Sequence, residues 1–485
     1  MVLARQAIAR TVLLCTLAIV VLATLHALVQ RHATDNVPAW LQRPLIWSNS
    51  SSLVIQPKPQ LIAQQRQDLQ PNPLYSSVDC HGTEGVSNPV DNKCRFRNVC
   101  LELLPLPQNR AMLDADKDNA PEYAKLYYYR PSWLKQAPLY WFKGYAHKEP
   151  WSRIDWAGTL KPTIMDDFVP VDSWWSTAPT TILTEAWWPE NFGHALGDDY
   201  LPIYRLAKYF DQFDSKDLSV IFHPSCHDRG SPGDEMNRGC SHHQEMSNLL
   251  FDLPTIDLNS SSLFKKEGSK LCFRQLLIGT GGLRMGTPAE ASVWTGFAET
   301  IKERARVRTN VLPSKQRISI MFKPRKRTLK NYDALEQHLK DRFQIEVKIL
   351  DPNQLSLTEQ LQELQQTTVL VSPCGGISFS ATFLPRGASA VFVDYWDTRY
   401  NRSFSMEKYV FTQMSHLSSY YYTVEKKDVS YDIEDVWWGD RENEWIIYRN
   451  YADVTINLRR MEDYVLAALA QAEVALDLRD SFKRE

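Results

Sequence analysis

At 485 residues, with 44% hydrophobic and 23% charged side chains, the chain has room for two ordinary domains plus extra segments and the balance of a globular protein. A net charge of −2, without a long basic or acidic run, gives no footing for a nucleic-acid partner, and none is expected. Residues 11–29 carry no formal charge, with Arg5 and Arg10 before them and Arg31 and His32 after. That run approaches the roughly 20 residues that span a bilayer. It predicts a cytosolic tail and transmembrane signal anchor over 1–30, which would attach the chain to a membrane and carry the remainder across it. A cleaved signal peptide is the competing reading.

Residues 31–78 are rich in Pro, Gln and Ser without periodicity and read as a stem or linker. A first domain is predicted over 79–310, with strand-like segments at 219–222 and 271–278. Cys80, Cys94 and Cys100 cluster in it, Cys226 and Cys240 flank a Gly/Pro/Asp loop, and Cys272 follows. These spacings suit disulfides in an oxidising compartment, and the tight two-residue spacing of a zinc site is missing. With Cys374 the count beyond the anchor is odd, so at least one thiol stays free, and the pairing is left open. Asn49, Asn259 and Asn401 each open an N-glycosylation sequon.

Within this domain the segment from Asn191 to Pro202 contains His194 and Asp198 at a spacing that stacks them on one helix face. A carboxylate beside an imidazole holds one tautomer and leaves the other nitrogen as a base; an ordinary surface pair is the blander reading. Gly193 and Gly197 weaken a helix and admit a close neighbour. Trp187 and Trp188, with Trp174 and Trp175, either pack the domain or form a wall that stacks on sugar rings. The pair Asp114 and Asp116 is fed by no apolar strand and reads as surface loop, so no metal site is expected.

Residues 311–456 form the second predicted domain. A strand at 317–322 runs into the basic loop Lys323, Arg325, Lys326 and Arg327. A helix over 331–343, a strand over 345–350, a helix over 357–365 and a strand over 369–371 follow. The turn Gly375-Gly376-Ile377-Ser378 then opens a short helix over 377–384, and a strand over 390–393 closes the unit. Alternation of this kind predicts a parallel doubly wound sheet, with ligands at the carboxyl ends of its strands, where both the basic loop and the Gly-Gly turn fall. Forked guanidinium donors and bare backbone amides at such a place fit a phosphate. No G-x-G-x-x-G pattern supports a nicotinamide cofactor. Residues 397–456 resist parsing, and an amphipathic helix is predicted over 458–476 in a final segment, 457–485.

The chain resembles glycosyltransferase family 61, inverting sugar transferases, over roughly residues 94–422. The resemblance rests on the cysteine-framed stretch from Cys94 to Cys100, on Asn191, His194 and Asp198 in an N-x-x-H-x-x-x-D pattern, and on Cys272-Phe273. Arg325, Arg327 and Asn331, and the stretch from Phe383 to Ala388, also carry it. Many members have His-Gly-Ala-Gly where this chain has Pro373-Cys374-Gly375-Gly376. The resemblance implies an α/β chain of GT-B type, two Rossmann-like domains facing a cleft. It further implies transfer of xylose, N-acetylglucosamine or arabinose from a UDP-sugar donor to a hydroxyl of a glycan or glycoprotein acceptor. The implied setting is the lumen of the Golgi or endoplasmic reticulum, with the chain a single-pass type II membrane protein. Asp198 and His194 become the candidate base and its partner, in either order. Arg325, Arg327, Asn331, Gly375, Gly376 and Ser378 become donor-diphosphate residues, and Asn191, Trp187 and Trp188 acceptor residues. No metal or cofactor is expected. The alternative is an inactive, membrane-tethered glycan-binding or scaffold protein on the same fold.

Overall fold

A computed structural model describes residues 311–431 except Arg325, residues 448–482, and the segments of the N-terminal half that carry the elements named below. All of them lie in one compact unit. The expected anchor over 11–29 and nearly all of the stem lie outside the described residues, as do Asp114 and Asp116. Among the described residues no helix is long and apolar enough to cross a membrane.

The C-terminal half is built on five parallel strands in the order Glu346–Leu350, Arg317–Met321, Val369–Pro373, Ser389–Val393 and Ser418–Tyr422. Their side chains alternate between two cores, as the period of a strand demands. Ile318, Ile320, Val369, Val371, Val391 and Val393 face the helices Tyr332–Phe343 and Leu458–Phe482, meeting Leu335, Leu339, Met461 and Val465. Met321, Leu370, Ala390 and Phe392 face the other way, toward the helix Leu357–Gln365 and the 3-10 helix Gly376–Phe383. Burial on both faces explains why these strands read as continuous apolar runs. Ser356 and Glu359 form a reciprocal capping box that starts the helix Leu357–Gln365.

The N-terminal half differs from the expected Rossmann-like sheet. Thr180–Thr184, Leu218–Phe222 and Lys270–Ile278 run parallel, but Lys270–Ile278 then pairs antiparallel with the long strand Lys93–Leu103. Ser77–His81 and Ala124–Tyr129 pair with Lys93–Leu103 in the same antiparallel sense, so the sheet is mixed. Two disulfides, Cys80–Cys94 and Cys100–Cys272, link residues directly opposite one another in these ladders. The second closes a span of 172 residues, which constrains the unfolded chain by about 5 kcal/mol on the chain-entropy account. Cys240 is also disulfide-bonded, and Cys374 is free and buried.

One apolar core spans both sheets. Leu196, Tyr204, Trp294 and Phe297 from the N-terminal half belong to the same cluster as Leu370, Phe379, Phe383 and Phe392. The helix Ala291–Arg304 bridges the two halves.

Candidate active site

In the C-terminal sheet the first strand in sequence, Arg317–Met321, lies between the second, Glu346–Leu350, and the third, Val369–Pro373. The chain direction around the sheet reverses between the first and third strands. Beyond their carboxyl ends an α/β sheet opens a crevice for ligands. The basic loop leaves the first strand there, and the Gly-Gly turn leaves the third.

Both segments are tightly shaped. Gly375 has φ of 109°, a conformation that L side chains rarely adopt. Lys326 and Arg327 are consecutive non-glycine residues with φ of 53° and 65°, an uncommon strain that surrounding bonds must hold. Those bonds come from the far end of the chain. Thr328 N–H donates to Asp453 Oδ1 (2.9 Å), Val454 N–H donates to Thr328 O (2.8 Å), and Arg327 Nη1 donates to Asn450 Oδ1 (3.0 Å). Arg449 Nε reaches the same Asn450 oxygen at 3.3 Å.

The loop's cations converge on the turn. A Cβ placed on Gly375 would lie 2.6 Å from Arg327 Nη2 and 3.0 Å from Lys323 Nζ, so a side chain there would displace both groups. Lys323 Nζ donates to Cys374 O at 2.7 Å. Burial, and then the adjacent Arg327 guanidinium, pull the Lys323 ammonium well below its ordinary pKa. An arriving anion would favour the charged form of Lys323 beside the Arg327 guanidinium. Burial pushes the Cys374 thiol up to about 12, so this residue offers no thiolate.

The opposite wall is the helical segment beginning at Asn191, whose Oδ1 accepts from Gly193 N–H (3.1 Å) and caps it. A turn of α-helix, Phe192–His194, passes into a π-helical stretch, Ala195–Tyr200, and then the α-helix Leu201–Tyr209. Pro202 has no N–H and its ring would collide with the carbonyl four residues back in a regular helix. The wider π turn removes that conflict. His194 Nδ1 and Asp198 Oδ2 are 2.6 Å apart, with 28% of the histidine side chain exposed against 9% of the aspartate. The more buried carboxylate thus holds the Nδ1–H tautomer, and Nε2 is the basic nitrogen. Asp199, fully buried, turns the other way, with Oδ2 3.3 Å from Nε2 of the buried His243.

The two walls touch. A Cβ on Gly376 would fall 2.0 Å from Asn191 Oδ1, and a Cβ on Gly193 would fall 2.9 Å from Gly376 Cα and 2.8 Å from Phe379 Cδ2. The turn that meets Arg327 and Lys323 on one side therefore meets the start of the His194–Asp198 helix on the other.

Of the residues expected here, Asn191, His194, Asp198, Arg327, Gly375, Gly376 and Ser378 are drawn together by these contacts. Arg325, Trp187 and Trp188 lie outside the described residues. Asn331 has a different employment: its Nδ2 donates to Ile456 O (2.9 Å) and its Oδ1 accepts from Ile456 N–H (2.8 Å), so both polar ends tie the basic loop's helix to the returning chain. Ser378 Oγ shares its one proton between Gly375 O (2.6 Å) and Glu407 Oε1 (3.0 Å), and Gly375 N–H also goes to Glu407 Oε1. Those two donors are engaged within the protein. Glu407, Arg449 and Asn450 come from the aromatic-rich stretch without readable periodicity, and no local pattern marks them. Lys323 was legible as part of the basic loop.

Residues 193–391 match the family described as Glycosyltransferase 61. No curated protein matches the chain. Among solved structures, the dodecameric iron-containing heptosyltransferase TibC in complex with ADP-D-β-D-heptose is aligned over 88% of this chain and all of that one, at 11% identity. Its TM-score of 0.25 is too low to bear on the fold. The family match covers the His194–Asp198 helix, the basic loop and the Gly-Gly turn together, so all three features fall in the stretch that is similar to Glycosyltransferase 61.

Proposed function

We propose that the protein is an inverting transferase of GT-B type that moves xylose, N-acetylglucosamine or arabinose from a UDP-sugar to a hydroxyl of a glycan or glycoprotein. The observation that carries this reading is the packing of Gly376 against Asn191 and Gly193, which sets the imidazole–carboxylate pair beside the cations at the sheet's ligand-binding edge. The donor diphosphate lies against Arg327 and Lys323. The acceptor oxygen attacks the anomeric carbon from the opposite side while His194 Nε2 takes its proton, with Asp198 stabilising the imidazolium that forms. The bond from the anomeric carbon to the diphosphate breaks, and its electron pair stays on the departing UDP. Charge growing on that leaving group is met by Arg327 and Lys323, the preorganised electrostatic assistance that usually supplies the largest catalytic contribution. This assigns to side chains the task a divalent ion performs elsewhere, so activity should persist in EDTA.

Disulfides in antiparallel ladders and the uncharged run at 11–29 support a lumenal enzyme of the Golgi or endoplasmic reticulum, tethered by an N-terminal anchor. A thermal-shift titration with UDP, followed by a panel of UDP-sugars against glycan acceptors, tests the assignment. Stabilisation by UDP and turnover with one donor are expected. Binding without turnover on any donor would favour the inactive glycan-binding alternative, and no response to UDP would end the reading.

A further inference from the structure

Glu407 lies in the connection between the fourth strand, Ser389–Val393, and the fifth, Ser418–Tyr422, yet its carboxylate is buried, with 2% of the residue exposed. Oε1 accepts from Gly375 N–H at 2.7 Å and lies 3.0 Å from Ser378 Oγ, whose one proton it shares with Gly375 O. Oε2 meets no hydrogen-bond donor among the described residues. A buried carboxylate with one oxygen unmet is costly. Placing it here adds to the burial that raises the neighbouring Asp394 to about 6. Ordinary packing would be better served by an apolar side chain. What the carboxylate achieves is local: it grips both ends of a turn whose first glycine has φ of 109° and whose other side faces Arg327 and Lys323.

We propose that Glu407 is a positioning residue for sugar transfer, fixing the Gly375–Ser378 turn so that the diphosphate cations and the His194–Asp198 wall keep one relative placement. The chain of contact is continuous. Glu407 holds Gly375 and Ser378; Gly375 sets the gap to Arg327 Nη2 and Lys323 Nζ; Gly376 seats against Asn191 and Gly193, one residue from His194. Loosening the first link lets the turn drift away from both walls. The inference rests on the transferase reading for its consequence in turnover, but the grip on the turn is independent of it.

Two substitutions separate the contributions. Glu407→Gln keeps an acceptor oxygen for both donors, whereas Glu407→Ala removes it. Steady-state transfer, UDP titration calorimetry and hydrogen exchange of the peptide covering Gly375–Ser378 are measured on each folded variant. In Glu407→Ala the turn loses both contacts to Oε1, so the Gly375 amide is expected to exchange faster, UDP to bind about tenfold more weakly, and kcat to fall by at least about tenfold. Glu407→Gln should restore protection and bring binding and turnover within about threefold of the parent. A merely structural role would lower thermal stability while leaving kcat and UDP affinity of the folded fraction unchanged, and that result overturns the proposal. So does a glutamine variant as impaired as the alanine one. Should Glu407→Ala not fold, Ser378→Ala removes one of the two gripping donors, and unchanged exchange and kinetics there reject the idea. If the parent protein binds no UDP, the transferase reading fails, while the exchange comparison still decides whether Glu407 holds the turn.

Discussion

An added Cβ on Gly376 would stand 2.0 Å from Asn191 Oδ1 and 3.2 Å from Gly193 N, so Asn191 must swing off its cap on Gly193 to make room. Gly376→Ala is therefore expected to destabilise the protein by about 1–3 kcal/mol, an overpacking cost, and to reduce transfer far more than that loss explains. Thermal unfolding and kcat on the same preparation check this; wild-type turnover in the variant would mean the contact is incidental. The sequence made the Gly-Gly pair visible as a turn but could not say which glycine touched what. Backbone amides of Gly376 and Ser378 facing a phosphate were the natural reading of the turn, yet Ser378 N–H donates to Gly375 O at 2.9 Å. In the folded chain Glu407 takes Gly375 N–H and the Ser378 hydroxyl, and the glycines serve mainly to admit Arg327, Lys323 and Asn191. The contact between His194 and Asp198, by contrast, follows from spacing, since four residues bring two side chains onto one face, but spacing fits an ordinary polar pair as well as a catalytic one.

Among the elements, the π turn Ala195–Tyr200 is the one that most directly sets chemistry, because it fixes the angle at which Asp198 and Asp199 leave the helix toward different partners. Pro202 is the local cause that the sequence offers. In Pro202→Ala the conflict with the preceding carbonyl disappears and the helix can close to α spacing. Stability should stay level or rise by about 1 kcal/mol, while kcat falls as Asp198 rotates off His194. A variant that keeps full turnover would show that packing, rather than proline, maintains the turn. Strands and helices of the C-terminal half were readable because burial on both faces leaves apolar runs bounded by Asp351-Pro352 and the capping box at Ser356. The strand Ala452–Val454 was not, since its three residues carry no periodicity. It acts by holding the basic loop through Thr328 and Lys330.

For the molecule as a whole, the joint between halves contains a histidine that responds to pH. His416 Nε2 donates to Thr382 O (3.0 Å) and Nδ1 lies 3.5 Å from Thr295 Oγ1 on the bridging helix. Burial depresses its pKa to about 4. The unfolded chain binds a proton near 6.5 that the folded one refuses, so this site's contribution is intact above that pH and erodes by about 3 kcal/mol as pH falls toward 4. Asp394 works in reverse: its pKa, raised to about 6, means the folded form gains protons first and stability recovers as pH drops from 6 to 3.8. Between pH 6.5 and 4.5, Asp394→Asn should lose more melting temperature than the parent and His416→Gln less. Three parallel profiles would contradict both assignments. The mixed N-terminal sheet was the least legible feature at this scale, because strand direction depends on how distant segments such as Lys93–Leu103 and Lys270–Ile278 meet, and residue patterns do not record that.

The central claim is that one crevice holds a diphosphate against Arg327 while His194 and Asp198 act on the acceptor beside it. Calorimetric UDP titration combined with single-turnover transfer on Arg327→Ala and Asp198→Asn tests it most directly. Arg327→Ala should weaken UDP by about tenfold, the loss of one charge-assisted contact. Asp198→Asn should bind UDP as the parent does but transfer sugar at least about a hundredfold more slowly, as a misheld imidazole would. Undiminished UDP affinity in Arg327→Ala, or undiminished transfer in Asp198→Asn, would contradict the account.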